Sequence, residues 1–318
     1  MLTRVRAAKV TWLNVRLTLA FTEASRLWID EDLISSLLIA GVMSANVEAT
    51  QQHPTALRRH PGLGDVPDDL RRPVNTLSLA MSLGIPRETA RSKLAALVTR
   101  GVLERRGDGV LLGSNVIQSD PFVAAVSSFL QMTSEFIDGL AALEACGVLH
   151  GDHLASPPGS FAGVASRLVV THILRGIDYA VDLNPDLGIT TQFILLSLAQ
   201  LSGASLQVVP DVPRDGGRLA PFKPGFSPVR IAELSRFTRL PHETVRRHVA
   251  RLEQRGIVCR QTDGWRIDLS DPAVVSRWLD FQTRTKIGTR QLVWKLLYAG
   301  VIVRSPVHGL TVNQLFRC

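Results

Sequence analysis

The chain contains two ungapped copies of a 40-residue segment, residues 73–112 and 228–267, which are related by an offset of 155 positions. Fourteen of the 40 positions are identical in the two copies. A tandem repeat of this kind predicts one structural unit that is built twice, so it constrains the number of domains and their symmetry together. We therefore expect an internal tandem duplication.

Weaker similarity extends the repeat on both sides of these segments, which indicates that each half is a helical segment, a central module and a C-terminal helix. We name residues 73–113 module 1 and residues 228–269 module 2. The first repeat is predicted to occupy 1–150 and the second 164–318. Residues 151–163 contain a Pro-Pro-Gly-Ser stretch and are predicted to form the linker between them.

Within module 2, the spacing of the apolar residues predicts the buried face of a helix. Val245, Val249 and Leu252 fall at i, i+4 and i+7 in a helix expected over 242–255. A glycine follows and is typical of a helix end. The corresponding apolar residues of module 1 are Ala90, Leu94 and Leu97.

The rest of each module reads as short elements around that helix. In module 2 a strand is expected at 229–231, a helix at 232–238, and two strands at 257–260 and 265–267. An Asp-Gly pair joins the last two strands and is a strong hairpin signal. The fold class is thus predicted to be mainly α with a small three-stranded β wing in each half.

The positive charge of the chain is confined to the two modules. The net charge is +8, of which residues 73–112 carry +3 and residues 228–267 carry +5. The remaining sequence has 21 basic and 21 acidic residues. An excess that lies only on repeated modules predicts a surface that binds a polyanion. The alternative is a solvated basic face without a partner.

The face of the long helix opposite its apolar residues, together with the wing, supplies the candidate nucleic-acid contacts. Arginine can donate two hydrogen bonds to guanine, a carboxylate can accept from cytosine, and basic residues at the rim can contact phosphates. The candidates are Arg87, Glu88, Arg91, Ser92, Lys93, Arg105 and Arg106 in module 1, and His242, Glu243, Arg246, Arg247, Arg251 and Arg260 in module 2. Module 2 is the richer in arginine, so we expect it to provide more of the affinity.

The start of the long helix resembles a known recognition helix. Pro-Arg-Glu-Thr-Ala-Arg-Ser in module 1 and Pro-His-Glu-Thr-Val-Arg-Arg in module 2 are similar to the corresponding run of bacterial winged helix-turn-helix transcription regulators. The nearest pattern is that of the cyclic-AMP receptor protein family. The resemblance implies base-reading roles for Arg87 and Glu88 in module 1, and for Glu243 and Arg247 in module 2.

This chain also departs from that family. Ser92 stands where the later arginine is expected in module 1, and His242 replaces the first arginine in module 2. No cyclic-nucleotide-binding barrel is recognisable upstream. The resemblance covers about 80 residues, the length of the two 40-residue segments. It implies a winged helix more directly than it implies that one family.

These observations predict a sequence-specific, double-stranded-DNA-binding transcriptional regulator that works as an intramolecular pseudo-dimer. The two recognition helices would face successive major grooves, about 34 Å apart. A plasmid-type replication initiator and a winged-helix interaction or scaffold protein without specific DNA binding are the alternatives. A fourth hypothesis is a sensor whose effector lies among the apolar helices of 10–48 and 164–205.

No enzymatic motif, metal site or cofactor site is predicted. His150 and His153 lack a third ligand of clear spacing. The three cysteines, Cys146, Cys259 and Cys318, are far apart, which favours a reduced cytoplasmic setting, here associated with the nucleoid. No membrane span is expected, and association into a homo-oligomer stays an open alternative.

Overall fold

The computed structural model is mainly helical and describes residues 2–29, 32–51, 54–143, 161–203, 227–305 and 309–312. The helices are α1 (Leu2–Ile29), α2 (Leu33–Asn46), α3 (Pro54–Arg59), α4 (Thr76–Ser82), α5 (Arg87–Thr99), α6 (Ser114–Ile117), α7 (Asp120–Ala142), α8 (Ala162–Leu183), α9 (Ile189–Ser202), α10 (Ile231–Thr238), α11 (His242–Gln254) and α12 (Pro272–Ala299). The strands are β1 (Val74–Asn75), β2 (Leu103–Arg106), β3 (Gly109–Leu112), β4 (Val258–Gln261), β5 (Gly264–Ile267), β6 (Ile302–Ser305) and β7 (Gly309–Val312). The prediction of a mainly α chain with small antiparallel sheets is confirmed.

Two compact units make up the chain. The module-1 unit contains Leu17–Tyr179 and Ile287–Cys318, and the module-2 unit contains Met1–Arg16 and Ala180–Lys286. Each unit thus takes residues from both sequence repeats. Compact units and sequence repeats are different divisions of a chain, so the two need not coincide. Most of the predicted linker lies outside the described residues. The predicted repeat boundaries therefore stay a prediction. None of the described helices is both long enough and apolar enough to cross a bilayer.

Module 1 is built from two helices and a three-stranded antiparallel sheet. Strand β1 leads into α4 and α5, and the hairpin β2–β3 follows. The strand order is β1-β3-β2, with Val74 opposite Val110 and Leu103 opposite Leu112. The predicted three-stranded wing is therefore present in the first half.

Module 2 has the same order of elements but a shorter third strand. Helices α10 and α11 precede the hairpin β4–β5. Val229 alone pairs with Trp265 as an isolated bridge, so the predicted strand at 229–231 is wrong in length. Arg230 has extended backbone angles at the N-cap, and Ile231 already belongs to α10, which leaves one residue for pairing.

The same backbone hydrogen bonds recur in both modules at the sequence offset of 155. In each module the residue after the glycine donates back to the end of the long helix, and its carbonyl accepts from the residue that follows the hairpin. The pairs are Val102 N to Leu97 O at 3.0 Å and Gly113 N to Val102 O at 3.0 Å, matched by Ile257 N to Leu252 O at 3.0 Å and Asp268 N to Ile257 O at 2.9 Å. The hairpin is thus anchored to the helix in the same way twice.

Two glycines at equivalent positions are explained by close backbone packing. A Cβ atom on Gly109 would lie 2.9 Å from the carbonyl oxygen of Val74, and one on Gly264 would lie 2.5 Å from that of Val229. Real Cβ atoms do not approach an oxygen so closely, so only glycine lets the hairpin meet the first strand of the module.

The long helix of each module is held by the apolar residues predicted for its buried face. Each of these six side chains is at most 2 % exposed: Ala90, Leu94 and Leu97 in α5, and Val245, Val249 and Leu252 in α11. In the module-2 unit they join a core with Ile194 and Leu198 of α9 and Leu234 of α10. Burial of a Val or Leu side chain contributes about 1.5–3 kcal/mol, so this contact fixes which face of the helix meets solvent.

The segment Thr50–Arg72 contains three prolines and no apolar periodicity, which predicts a loop or a mobile tether, and this prediction is wrong in part. It contains α3 and a 3-10 turn at Asp68–Leu70. Buried Arg71 fixes its end by donating to the Leu112 carbonyl and, at 2.8 Å, to the Asp68 carboxylate. Polar contacts of this kind leave no periodic signal. The proline- and glycine-rich segment Gln207–Ser227 is predicted to be a loop on the same grounds, and it lies almost entirely outside the described residues.

Asn46 connects α2 to the sheet of module 1. Its Nδ2 donates to the carbonyls of Arg72 at 2.8 Å and Val110 at 3.3 Å, and its Oδ1 accepts from the Leu112 N–H at 3.0 Å. The side chain is 2 % exposed. One buried amide therefore satisfies three backbone groups from two segments of the module.

We expect Asn46→Ala to lower the free energy of unfolding by about 2–4 kcal/mol, because it leaves buried backbone groups unpaired. Urea unfolding followed by circular dichroism measures the change. The matched control is Gln118→Ala, since Gln118 is exposed and makes no side-chain hydrogen bond to a described residue. Equal stability of the two variants would contradict this role of Asn46.

Candidate nucleic-acid interface

Helix α11 presents a row of arginines on the side opposite its buried face. Pro241 is the N-cap residue, and the helix runs from His242 to Gln254. Because the apolar residues point into the core, Arg246, Arg247 and Arg251 are left exposed. This is the outward face that the sequence predicts.

Glu243 and Arg246 form an ion pair on that face. Arg246 donates from Nε to Oε2 at 2.8 Å and from a terminal nitrogen to Oε1 at 2.6 Å. The Arg246 hydrogen bond is the main reason that the pKa of Glu243 is lowered, and it raises the pKa of Arg246 in turn. Arg91 and Glu88 make the equivalent contact in module 1, at 2.8 Å. Both pairs are exposed, so they orient an arginine and stabilise the fold little.

Asp186 engages two other arginines of module 2. Its carbonyl accepts from Arg251 at 2.6 Å, and its carboxylate pairs with Arg255 at 2.9 Å. Arg247, in contrast, makes no hydrogen bond or ion pair with any residue that the structure describes. Among the three arginines of the α11 face, Arg247 is therefore the one whose donors are all available to a ligand.

The two histidines of α11 have different surroundings. His248 is half-buried, and its Nδ1 lies 2.8 Å from the hydroxyl of Thr191 on α9. Burial is the main cause of its lowered pKa, with Arg247 and Arg251 adding to it. Neutral His248 thus helps to seat α11 on α9. His242 is exposed at the start of the helix, as predicted for a contact residue.

The hairpin of module 2 adds basic residues beside the helix. Arg260 lies on β4 opposite Trp265, and Arg266 lies on β5 opposite Cys259. Both arginines are exposed, and neither makes a hydrogen bond or ion pair to another described side chain. Arg266 is not among the contact residues predicted from the sequence, although Trp265–Ile267 is predicted to be a strand of the wing. The alternation of side chains along a strand would have placed it outward.

Module 1 is less cationic at the equivalent surface. Lys93 is bound to Asp32, and Arg106 lies 3.7 Å from Asp68. Arg87 and Arg105 are exposed without a hydrogen bond or ion pair within the described chain, and Ser92 is exposed where module 2 has Arg247.

An apolar patch also distinguishes module 1. Helix α4 exposes Leu77 at 42 % and Met81 at 73 %, whereas module 2 has Ala232 and Arg236 at the matching positions. Apolar side chains do not bind phosphates. Fewer of the predicted contact residues of module 1 are therefore available cations than in module 2.

No group of three or more histidine, cysteine, aspartate or glutamate side chains could hold a metal among the described residues. His150 and His153 lie outside those residues, as do Cys146 and Cys318. Cys259 is a free thiol on β4.

Comparison of this chain with known protein families, with curated proteins and with solved structures finds no match. The interpretation of the two modules therefore depends on their residues and geometry alone.

We expect Arg246→Met to raise the pKa of Glu243, because it removes the hydrogen bond that stabilises the carboxylate. Arg247→Met is the control and should have a smaller effect, since Arg247 acts on Glu243 through charge alone. Carbon-detected NMR titration of the glutamate carboxyl measures both. A lowered pKa means that the pair is present above the ordinary glutamate pKa and is lost as pH falls through the lowered value. An unchanged Glu243 pKa in Arg246→Met would contradict the pairing.

Proposed function

We propose that this chain is a sequence-specific, double-stranded-DNA-binding transcriptional regulator that uses two winged helix-turn-helix modules. The observation that carries the proposal is the exposed arginine face of α11, which lies opposite its buried residues and is accompanied by Arg260 on the adjacent hairpin. Such a chain would act at the nucleoid.

The order of elements supports this interpretation. Each module has a short helix, a turn, a 13-residue helix and a β-hairpin. This order is typical of winged helix-turn-helix proteins, in which the second helix enters the major groove. A helix of 13 residues is about 20 Å long, and the major groove, about 12 Å wide, admits it. A helical protein whose surface merely happens to be basic would not need a β-hairpin next to its basic helix.

The contacts within module 2 suggest how the work is divided among its side chains. Arg247 has its donors available, so we assign it the bidentate contact to a guanine. Arg260 and Arg266 on the hairpin are placed to contact phosphates, which fix register but carry no sequence information. Arg246 is held by Glu243, so the pair either reads a base together or contacts the backbone through Arg246 alone.

The repeated hydrogen bonds support two modules of one design in a single chain, and therefore a pseudo-dimer that reads two half-sites. The modules are not equal. Module 2 has nine arginines in residues 228–267, whereas module 1 has an exposed Leu77 and Met81 on α4. We expect module 2 to provide most of the affinity, and the recognised site to be an imperfect repeat.

We expect Arg247→Ala and Arg260→Ala to weaken DNA binding in different ways. Arg247→Ala should cost about 1–3 kcal/mol on a duplex selected from a random pool, and should relax the preference at one base pair. Arg260→Ala should weaken selected and scrambled duplexes alike and reduce the slope of affinity against salt by about one. Fluorescence anisotropy at several salt concentrations measures both.

The matched control for these variants is Arg290→Ala, since Arg290 is an exposed arginine outside both modules. It should leave affinity and salt slope unchanged. If Arg247→Ala and Arg260→Ala had the same effect on selected and scrambled duplexes, the assigned roles would be wrong. If neither differed from Arg290→Ala, module 2 would not be the DNA-binding surface.

Glu243→Gln separates the two interpretations of the Glu243–Arg246 pair. If the glutamate only holds Arg246, its neutralisation releases a cation, and affinity for all duplexes should rise with a steeper salt dependence. If it accepts a hydrogen bond from a base, affinity for the selected duplex should fall while the scrambled duplex is bound more tightly. We expect the first result, because both modules form the same pair. Anisotropy on the two duplexes distinguishes them.

A further inference from the structure

The module-1 unit contains an apolar cleft that the proposed DNA contacts do not use. It holds about 600 Å³ of empty space, counting its open mouth. Residues of α2, β3, α7, α8 and the segment after α3 line it. The apolar ones include Met43, Val47, Leu63, Phe122 and Val170. A concave apolar surface with a few converging polar groups is the usual form of a small-molecule site.

Arg167 brings a charge with an unused donor to the wall of this cleft. It lies on α8 and donates to the carbonyl of His60. Its Nε atom is buried and has no hydrogen-bond partner among the residues that the structure describes. Burial lowers the pKa of Arg167 to about 10, opposed by the charge of Asp65, so the guanidinium is still charged at neutral pH. A buried charged donor without an acceptor is costly, and a bound anion would satisfy it.

Arg71 is a second cation in the lining of the cleft, and its hydrogen bonds hold it in position. It donates to the carbonyl of Leu112, to Oδ1 of Asp68 at 2.8 Å and to the hydroxyl of Ser114 at 3.0 Å. Its side chain is only 5 % exposed. The cleft thus combines apolar side chains with two arginines. Arg71 is held by hydrogen bonds, and Arg167 has a donor that is not used.

We infer that this cleft binds a small monocarboxylate with an apolar body. The apolar part would pack against Met43, Phe122 and Val170, and the carboxylate would accept from Arg167. Arginine and carboxylate match each other in shape and charge. A doubly charged phosphate would need more donors, because the other polar side chains of the lining, Ser44, Asn46 and Ser166, already bond protein groups. Its remaining oxygens would be desolvated against apolar walls.

Octanoate is a suitable probe, because it has one carboxylate and a flexible apolar chain. Octanamide is the matched neutral control with the same chain length. Titration calorimetry and thermal melting of the intact chain should show saturable binding of octanoate at one site with a raised melting temperature. Octanamide should bind at least about tenfold more weakly, since it loses a charge-assisted hydrogen bond.

Variants assign the binding to this cleft. Arg167→Met should reduce octanoate affinity about tenfold or more and leave octanamide unchanged. Arg175→Met is the control on the same helix, where the exposed Arg175 lies two turns farther along and outside the cleft, and it should bind as the parent does. Val170→Phe fills the cleft, so it should weaken the binding of both ligands. It tests whether the ligands bind in this cleft even if Arg167→Met does not fold.

Three results would overturn the inference: no saturable binding of octanoate at millimolar concentration, equal binding of octanoate and octanamide, or full octanoate affinity in Arg167→Met or in Val170→Phe. No DNA is present in these measurements. Failure of octanoate binding would therefore not contradict the proposed DNA-binding function. Failure of DNA binding would not contradict the proposed carboxylate site.

Discussion

The burial of one face of α11 is the constraint on which the rest of the module-2 surface depends. Val245, Val249 and Leu252 are fully buried against α9 and α10, so the helix cannot rotate about its axis without exposing them. Their position forces Arg246, Arg247 and Arg251 to the outside. The hairpin is then anchored to the C-terminal end of α11 by the hydrogen bond from Ile257 N to Leu252 O. Apolar packing thus determines where the charges are presented.

Acidic residues of the same unit determine which of those charges are available. Glu243 holds Arg246, and Asp186 holds Arg251 and Arg255, so the total charge of the module overstates its free donors. The same holds in module 1, where Asp32 engages Lys93 and Asp68 engages Arg106. In exposed pairs such contacts stabilise the fold little, but they orient side chains and leave Arg247 as the unpaired cation of the α11 face. Charge placement, and not net charge, therefore guides the assignment of roles.

Much of the architecture was predictable from the sequence, because it rests on local signals that repeat. The i, i+4, i+7 spacing in α11, the glycine after it and the Asp-Gly turn each correspond to an observed element, and the offset of 155 recurs in the hydrogen bonds. Contacts between distant residues left no such signal. Three examples are the hydrogen bond from Arg251 to Asp186, the three hydrogen bonds of Asn46, and the hydrogen bond from buried Arg71 to Leu112. Each joins groups that are far apart in the sequence. The hairpin β6–β7 was likewise not anticipated.

The central claim is that the outward face of α11 and the adjoining hairpin contact duplex DNA. Photocrosslinking to a duplex that carries 5-iodouracil, followed by mass spectrometry of the crosslinked peptides, tests it most directly. The account predicts crosslinks to peptides that contain Arg247 and to the hairpin residues 258–267, with fewer in residues 87–112. Crosslinks confined to segments outside both modules would contradict it.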